Sequence, residues 1–354
     1  MIEKTKRLML PTFVLLLVTA AGRAEAAPPV VSVHGWLDGY YAWNGNHPEP
    51  RLNFFDGTGT TAHRADQLAI NIAAVDVARP TAPFGFHVTL VAGDSSDVVH
   101  AGEPHPRRLV IRNVYQASVS YLVPIGRGLT LEGGVYPSHI GFEGFFTKDN
   151  WNYTRGWLGE LSPYYQSGIK ASYAWNDRWS GQVHVLRGWQ LIGNGNAGPA
   201  FGTQVAYSGS RLSASFNTFV GPGQPHDRAH LRKFGDLVAV YKSTPELSVG
   251  LSIDRGRQAY RLDGSANWVG IAAYGRYALD ERHAFALRAE RFRDPDAGIS
   301  GFAQSLTEAT LTYEFRPSAH LILKFEARRD HSTAPVFDAS RDEVIAVASA
   351  VATF

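Results

Sequence analysis

The sequence predicts an all-β fold, a transmembrane antiparallel up-and-down β-barrel of about 16 strands. Three observations predict it. Apolar and polar residues alternate along many short segments, tight turns alternate with longer polar connections, and aromatic residues recur at a nearly constant spacing. The first feature indicates strands with unlike faces, and the other two indicate one meander repeated along the chain.

The N-terminal segment has the features of a secretory signal peptide. A basic start at residues 4–7 precedes a mostly apolar run at 8–22, and residues 24–26 form an A-x-A cleavage site. We therefore expect residues 1–26 to be a signal peptide and residues 27–354 to form the barrel. Cleavage would remove four of the 34 basic and two of the 32 acidic residues, which leaves 30 of each. That balance gives no reason to expect a nucleic-acid partner.

The rest of the chain restricts the class further. It has no cysteine, which excludes disulfides and Cys-ligated metal sites. After the predicted signal, no apolar run reaches the roughly 20 residues that a spanning helix needs. An exported chain of this kind is either soluble outside the inner membrane or a membrane β-barrel.

The first strands are predicted near residues 31–44, 67–78, 84–93, 109–122 and 128–137. Beyond them a unit of about 35 residues repeats, in which a strand, a long loop, a second strand and a tight turn follow one another. The stretch 247–253 is typical, with Leu247, Val249 and Leu251 alternating with small polar residues.

The connections between these strands alternate in length. Tight turns are predicted at Asn176-Asp177, Ser208-Gly209-Ser210, Ser243-Thr244-Pro245, Asp280-Glu281 and Arg316-Pro317-Ser318. Longer loops, rich in Gly, Pro, Asp and Asn, are predicted at about 190–198, 221–233, 256–266, 294–304 and 330–341. The count gives 16 strands, an even number, so both termini of the chain should lie at the short-turn end.

Aromatic residues close the strands that run towards the short turns. Tyr173, Tyr207, Tyr241, Tyr277 and Tyr313 are separated by 34, 34, 36 and 36 residues. Aromatic rings at one level are expected where a bilayer's hydrocarbon meets water. We predict an interface girdle that consists of Tyr121, Tyr173, Trp175, Tyr207, Tyr241, Tyr277, Tyr313 and Phe354. A secreted β-sandwich or a β-propeller would also alternate, but neither explains this girdle or the alternating loop lengths.

Two stretches carry a resemblance to a known family. "QASVSYLVPIGRGLTLEGGVYPSHIGFE" and "NYTRGWLGELSPYYQSGIKASYAWNDRWSGQVHVLRGWQ" resemble the OmpL-like, porin-2 group of outer-membrane β-barrel porins. The resemblance implies a channel in the outer membrane of a Gram-negative bacterium and identifies no substrate. The final strand, "DEVIAVASAVATF", is similar to the C-terminal signal of such barrels for their assembly machinery, although small residues occupy several alternate positions.

Sixteen strands enclose a lumen too wide for side chains to fill, so a water-filled channel is expected. Charged residues on the inward phase of the strands would be costly against lipid and must face water or one another. The predicted pore-lining residues are Asp38, Arg112, Glu132, Lys170, Arg276, Arg288, Glu290, Glu308, Lys324, Glu326 and Arg328. Both signs are well represented, which favours weak ion selectivity.

The longest connection, residues 138–164, is predicted to fold inward and narrow the channel. Its aromatic residues Phe142, Phe145, Phe146, Trp151 and Trp157 would pack against the barrel wall. Its charged residues Glu143, Lys148, Asp149, Arg155 and Glu160 would face the solute. An external cap and a contact with a neighbouring barrel remain the alternatives.

These features together predict a porin for passive diffusion of small hydrophilic solutes. No catalytic motif, cofactor site or metal site is expected. The predicted partners are outer-membrane lipid and lipopolysaccharide, the barrel assembly machinery and the solutes themselves, and a homo-oligomer remains open. The alternatives are a barrel enzyme of the lipase or protease type, which tends to have fewer strands, and a plugged structural or adhesive barrel.

Overall fold

The strands form one closed antiparallel barrel, as the alternating pattern predicts. The computed structural model describes residues 30–49, 51–103, 111–193, 198–223, 228–260 and 264–354. The predicted signal peptide lies outside these residues. The strands are β1 Ser32–Asn44, β2 Leu68–Arg79, β3 Phe84–Ala92, β4 Val114–Val123, β5 Leu129–Pro137, β6 Tyr165–Ala174, β7 Trp179–Leu186, β8 Ala200–Ser208, β9 Leu212–Pro222, β10 Leu231–Lys242, β11 Leu247–Tyr260, β12 Gly264–Ala278, β13 His283–Asp294, β14 Gln304–Ser318, β15 Leu321–Ser332 and β16 Asp342–Thr353.

Each strand pairs with its sequence neighbours, and β1 closes the barrel by pairing with β16. In that seam Trp36 lies opposite Thr353 and Asn44 lies opposite Ile345. The start of β1 and the end of β16 therefore lie together at the short-turn end, as predicted. Closure matters physically because it leaves no unpaired strand edge inside a bilayer.

The two faces of the strands differ in the way the alternation predicts. Along β13, Phe285 and Leu287 are 41% and 54% exposed, whereas Arg288, the residue directly after Leu287, is fully buried. The apolar side chains point outward and the polar ones inward. This is the reverse of a soluble β-sandwich, whose apolar faces are buried.

Three sequence predictions about strand ends were wrong. The loop expected at 256–266 is mostly strand, because β11 continues to Tyr260 and β12 begins at Gly264. The turn expected at Arg316-Pro317-Ser318 lies within β14, which shifts register between Phe315 and Ser318. The fourth strand begins at Val114 instead of near 109. The run Gly256-Arg257-Gln258 has the composition of a loop although it lies in β11, which explains the first error.

The long connections lie at the end opposite the short turns. Three of them matter for the interior and are named loop 1 (residues 45–67), loop 3 (residues 138–164) and loop 8 (residues 333–341). The described residues of the long connections contain two short helices, α1 Asp94–Val99 after β3 and α2 Trp157–Glu160 within loop 3. No helix among the described residues is long and apolar enough to span a bilayer.

The predicted girdle residues lie on the outer face next to the short turns. Tyr121, Trp175, Tyr241 and Tyr277 are 40%, 50%, 43% and 48% exposed, and Phe354 is 72% exposed. Some members contact other aromatic side chains of the outer face: the ring of Tyr121 lies 5.5 Å from that of Phe84, and the ring of Tyr207 lies 5.0 Å from that of Trp179. Tyr173, Tyr207 and Tyr313 are half-exposed at the same end of β6, β8 and β14.

Candidate functional site

The inward face of the barrel carries a dense set of charged side chains. The predicted residues on this face are Asp38 on β1, Glu132 on β5, Lys170 on β6, Arg276 on β12, Arg288 and Glu290 on β13, Glu308 on β14, and Lys324, Glu326 and Arg328 on β15. They share the phase opposite to the exposed apolar residues.

Arg112 does not belong to this set. It precedes β4, outside any strand, and its guanidinium donates to Asp97 Oδ1 at 3.3 Å. Its side chain is 41% exposed. The prediction that Arg112 lies on an inward strand position was wrong because β4 starts later than its sequence suggested.

Loop 3 lies inside the barrel and is attached to the wall by hydrogen bonds from several sides. Gly141 N donates to Asp236 Oδ2 of β10 at 2.8 Å, and Leu158 N donates to Glu290 Oε1 of β13 at 2.8 Å. On the opposite wall, Thr147 Oγ1 donates to Asp38 Oδ2 at 2.7 Å. Backbone groups that would need water in an exposed loop are satisfied here by strand side chains.

Arg288 is the centre of the strongest attachment. It donates to Glu308 Oε2 at 2.5 Å and to Glu143 Oε1 of loop 3 at 2.6 Å. It also donates to the carbonyl oxygen of Thr154, and its side chain is 0% exposed. Glu143 in turn accepts a hydrogen bond from Gly156 N at 2.7 Å, so one arginine joins two separate parts of loop 3 to the wall.

β15 supplies two further attachments of opposite charge. Lys324 Nζ donates to the carbonyl oxygens of Thr147 and Asn150, at 2.8 and 2.5 Å. Glu326 accepts from the backbone N–H of Tyr153 at 2.6 Å and of Thr154 at 3.0 Å. A cation therefore binds loop carbonyls while the next inward residue binds loop amides, and together they fix the orientation of the loop backbone.

Aromatic rings fill the remaining space between loop 3 and the wall. Phe142 stacks on Tyr274 of β12 with ring centroids 3.9 Å apart, and Phe145 stacks on Tyr115 of β4 at 4.5 Å. Phe146 packs edge-on against Trp36 of β1 at 4.6 Å. Phe142, Phe145 and Phe146 thus pack against the wall as the sequence suggested.

Loop 1 and loop 8 complete the packing around Trp157. This side chain is fully buried, with its ring stacked on Phe55 of loop 1 at 5.0 Å and 6.0 Å from Phe337 of loop 8. The guanidinium of Arg328 lies 5.0 Å from the same ring. Phe55 and Phe337 were not among the residues predicted from the sequence, although two adjacent aromatic residues at 54–55 in a long loop indicate a packing role.

Three loop 3 residues predicted to face the solute are buried instead. Glu143, Arg155 and Glu160 are 7%, 0% and 9% exposed, so that prediction was wrong for them. Arg155 donates to Gly144 O at 2.8 Å and to Thr60 Oγ1 of loop 1 at 2.6 Å. Glu160 accepts from Thr60 N at 3.1 Å, and burial raises its pKa while Arg155 opposes that rise. Their charges hold the loops together.

The accessible charges lie on the short-turn side of loop 3. A cavity of about 660 Å³ opens there, lined among others by Asp76, His87, Lys148 and Asp149. The side chains of Lys148 and Asp149 are 25% and 60% exposed and 2.9 Å apart. These two residues of the predicted set do face open space.

Other accessible inward charges are paired in the same half of the barrel. Lys170 lies 2.7 Å from Glu132, and Arg276 lies 3.0 Å from Glu314. Arg316 lies 3.0 Å from the same glutamate. The lumen surface below loop 3 therefore carries both signs in close pairs.

A family model described as "Putative beta-barrel porin-2, OmpL-like" matches residues 30–354. The chain belongs to this family. The porin is thus an outer-membrane channel protein of the type found in Gram-negative bacteria. By the general arrangement of such barrels, the short turns face the periplasm and the long loops face the exterior. A search of curated proteins found no match.

Solved porin structures share the fold at low sequence identity. The outer membrane channel DcaP of Acinetobacter baumannii has a TM-score of 0.62 and 12% identity, over 95% of this chain and all of that one. The anion-selective porin from Comamonas acidovorans has a TM-score of 0.60 and 12% identity, over 92% and 99%. Salmonella typhi OmpF, in complex with daunomycin, has a TM-score of 0.60 and 11% identity, over 92% and 98%.

In the described part of the porin, no three His, Asp or Glu side chains are grouped so as to hold a metal ion. His100, for instance, is buried and stacks on Tyr165 with ring centroids 4.8 Å apart. Its ring nitrogens lie 2.8 and 3.2 Å from the carbonyl oxygens of Ser96 and Val114. Both ring nitrogens and one face of this histidine therefore contact other residues of the protein.

Proposed function

We propose that the porin is a weakly ion-selective channel for passive diffusion of small hydrophilic solutes, narrowed by loop 3. The observation that carries the proposal is the position of loop 3, attached inside the barrel by Arg288, Lys324 and Glu326. A loop held by buried charge-assisted hydrogen bonds keeps a fixed shape. Such a loop sets the width of the passage without closing and opening.

Weak selectivity follows from the pairing of the accessible charges. Each of the accessible lumen cations described above lies 3.0 Å or less from a carboxylate, as Lys170 does from Glu132 and Lys148 from Asp149. Paired charges largely cancel at the distance of a passing ion, particularly in salt. A strongly selective pore needs an excess of one sign.

The test is single-channel recording of the refolded chain in a planar bilayer, with a salt gradient across it. We expect discrete conductance steps and a small reversal potential. A folded barrel that passes no current would contradict the channel. A large reversal potential would contradict weak selectivity alone.

Selectivity should respond to the two exposed charges of loop 3. Lys148→Glu should shift the reversal potential towards cation selectivity, and Asp149→Lys should shift it towards anions. A unit charge about 8 Å from an ion in water contributes roughly 0.5 kcal/mol, so a two-unit change alters the permeability of cations and of anions by roughly fivefold each, in opposite directions. Arg127→Glu, in an exposed periplasmic turn, is the control and should leave the ratio nearly unchanged. If Arg127→Glu shifts the reversal potential as far as Lys148→Glu does, loop 3 has no special role in selectivity.

A plugged structural barrel is the second candidate. It is favoured by the burial of Arg288, Lys324 and Asp38, each 0% exposed, on the inner wall. In that case the same recording gives a folded, silent barrel. The family and fold favour a channel over an enzyme, and no catalytic role is proposed for any residue.

Further parts of the proposal concern export and assembly. Residues 1–26 act as a signal peptide, the C-terminal strand together with Phe354 is recognised by the barrel assembly machinery, and a homo-oligomer remains open. Removal of Phe354 should lower the amount of barrel in the outer membrane, measured by heat-modifiable gel mobility. Unchanged assembly would contradict the second part.

A further inference from the structure

A band of basic side chains lies on the outer, lipid-facing surface of the barrel. It consists of Lys233 on β10, Arg255 and Arg257 on β11, and Arg291 and Arg293 on β13, and is named the basic band. All five are exposed and share the phase of outward apolar residues such as Leu237 and Ile271. They lie in the strand halves next to the long loops, which is the extracellular side.

The members of the band are close neighbours on the sheet. Lys233 lies directly opposite Arg257 in the pairing of β10 and β11. Val269 of β12 lies opposite Arg255 on one side and Arg293 on the other. Like charges directly opposite each other are destabilising in a sheet, so this arrangement favours an anion between them.

The band lacks acidic partners in the protein. Within the described ranges of the chain, none of its five residues forms an ion pair. By contrast, Arg329, an outward residue of β15, lies 3.5 Å from Asp342. The carboxylates of Asp236 and Asp254 on the same strands point into the lumen and are buried. The positive charge on the outer face is therefore not compensated by these carboxylates.

A groove continues from the band along the outer wall. Its volume is about 550 Å³, and Lys233, Arg255 and Arg257 line it together with the apolar side chains Phe216, Val220, Leu237 and Ile253. A side chain at Gly235 would point into it, since a Cβ there has only the Phe216 ring nearby, at 3.9 Å. A groove with basic side chains at one end and apolar side chains along the rest fits an anionic amphiphile.

We propose that the basic band and its groove bind the phosphorylated glycolipid of the outer leaflet, the lipid A part of lipopolysaccharide. The phosphates lie against Lys233, Arg255 and Arg257, and an acyl chain follows Phe216 and Leu237. Arginine is suited to phosphate because its planar fork donates two parallel hydrogen bonds. This inference concerns the outer surface and goes beyond the channel function.

The test uses the full chain refolded in nonionic detergent and titrated with bisphosphorylated lipid A in mixed micelles, with bound lipid counted by native mass spectrometry. The combined substitution Lys233→Gln, Arg255→Gln and Arg257→Gln should weaken binding on the order of 100-fold, since each basic residue near an anionic lipid contributes about fivefold. Gly235→Leu keeps the charges, fills the groove and should also weaken binding. Arg211→Gln with Arg282→Gln, in the periplasmic turns, is the control and should bind like the parent.

Several results would overturn the proposal. They are equal binding by the triple variant and the parent, equal binding of dephosphorylated lipid A or phosphatidylglycerol, and displacement of lipid A by millimolar inorganic phosphate. If the triple variant does not form a heat-modifiable barrel, Gly235→Leu and the single Lys233→Gln decide the question. Bilayer conductance of the same variants should be unchanged, so failure of this proposal is distinguishable from failure of the channel function.

Discussion

Arg288→Met should enlarge the channel and weaken the barrel. The substitution removes the donor to Glu143, Glu308 and Thr154 and leaves two buried carboxylates without their cation. Breaking a buried ion pair by removing one partner costs about 3–5 kcal/mol. We therefore expect a severalfold larger single-channel conductance, a lower unfolding temperature and a broader distribution of current levels. Planar-bilayer recording and thermal denaturation in detergent measure these effects.

Arg316→Met is the matched control for this prediction. Arg316 pairs with Glu314 on the same inner wall, but its side chain is 40% exposed and has no contact with loop 3 among its hydrogen bonds. The Arg316 side is partly exposed and Glu314 keeps Arg276 as a partner at 3.0 Å, so stability should change by about 1 kcal/mol or less. If Arg288→Met leaves the conductance at the parent value, loop 3 does not limit the passage.

Trp157→Ala should release loop 1, loop 3 and loop 8 together. The ring contacts Phe55 and Phe337 and lies next to the guanidinium of Arg328, and all four side chains are buried. Replacing a buried Trp by Ala costs about 3–5 kcal/mol. We expect faster hydrogen exchange in all three loops and new protease cleavage sites there, with the strands still protected.

The control for this substitution is Trp175→Ala. Trp175 is 50% exposed on the outer face near the periplasmic turns, far along the barrel from the three loops. It should leave loop protection unchanged, measured by hydrogen exchange with mass spectrometry. Increased exchange confined to loop 3 in Trp157→Ala would contradict the view that the three loops form one packed unit.

Most of the inward charged residues were predicted from the sequence, but the roles of the charged residues in loop 3 were only partly predicted. Asp38, Arg288, Lys324 and Glu326 were identified as inward because period-two alternation assigns a face to every strand residue. The assignment of Glu143, Arg155 and Glu160 to the solute was wrong, because a loop has no such period. Their partners, for example Thr60 for Glu160 and Arg288 for Glu143, are distant in the sequence.

The basic band illustrates the same division. Arg257 fell within a predicted loop, so the opposition of Lys233 and Arg257 could not be recognised before the register of β10 and β11 was known. Register relates residues on separate strands, and local composition does not specify it. Burial of inward charges depends likewise on which loop covers them.

The sequence by itself predicted the closed barrel, its number of about 16 strands, the face of most strand residues, an aromatic girdle and the long loop at 138–164. These depend on local features: the side-chain period of two along a strand, the turn residues and the chain length between them. Only the tertiary structure decided that loop 3 is attached inside the barrel by buried charges, that Lys148 and Asp149 remain accessible, and that five basic residues meet on the outer wall. The attachment of loop 3 depends on contacts between residues more than a hundred positions apart, such as Glu143 and Arg288, and the basic band depends on the register of neighbouring strands. A linear pattern contains no record of either.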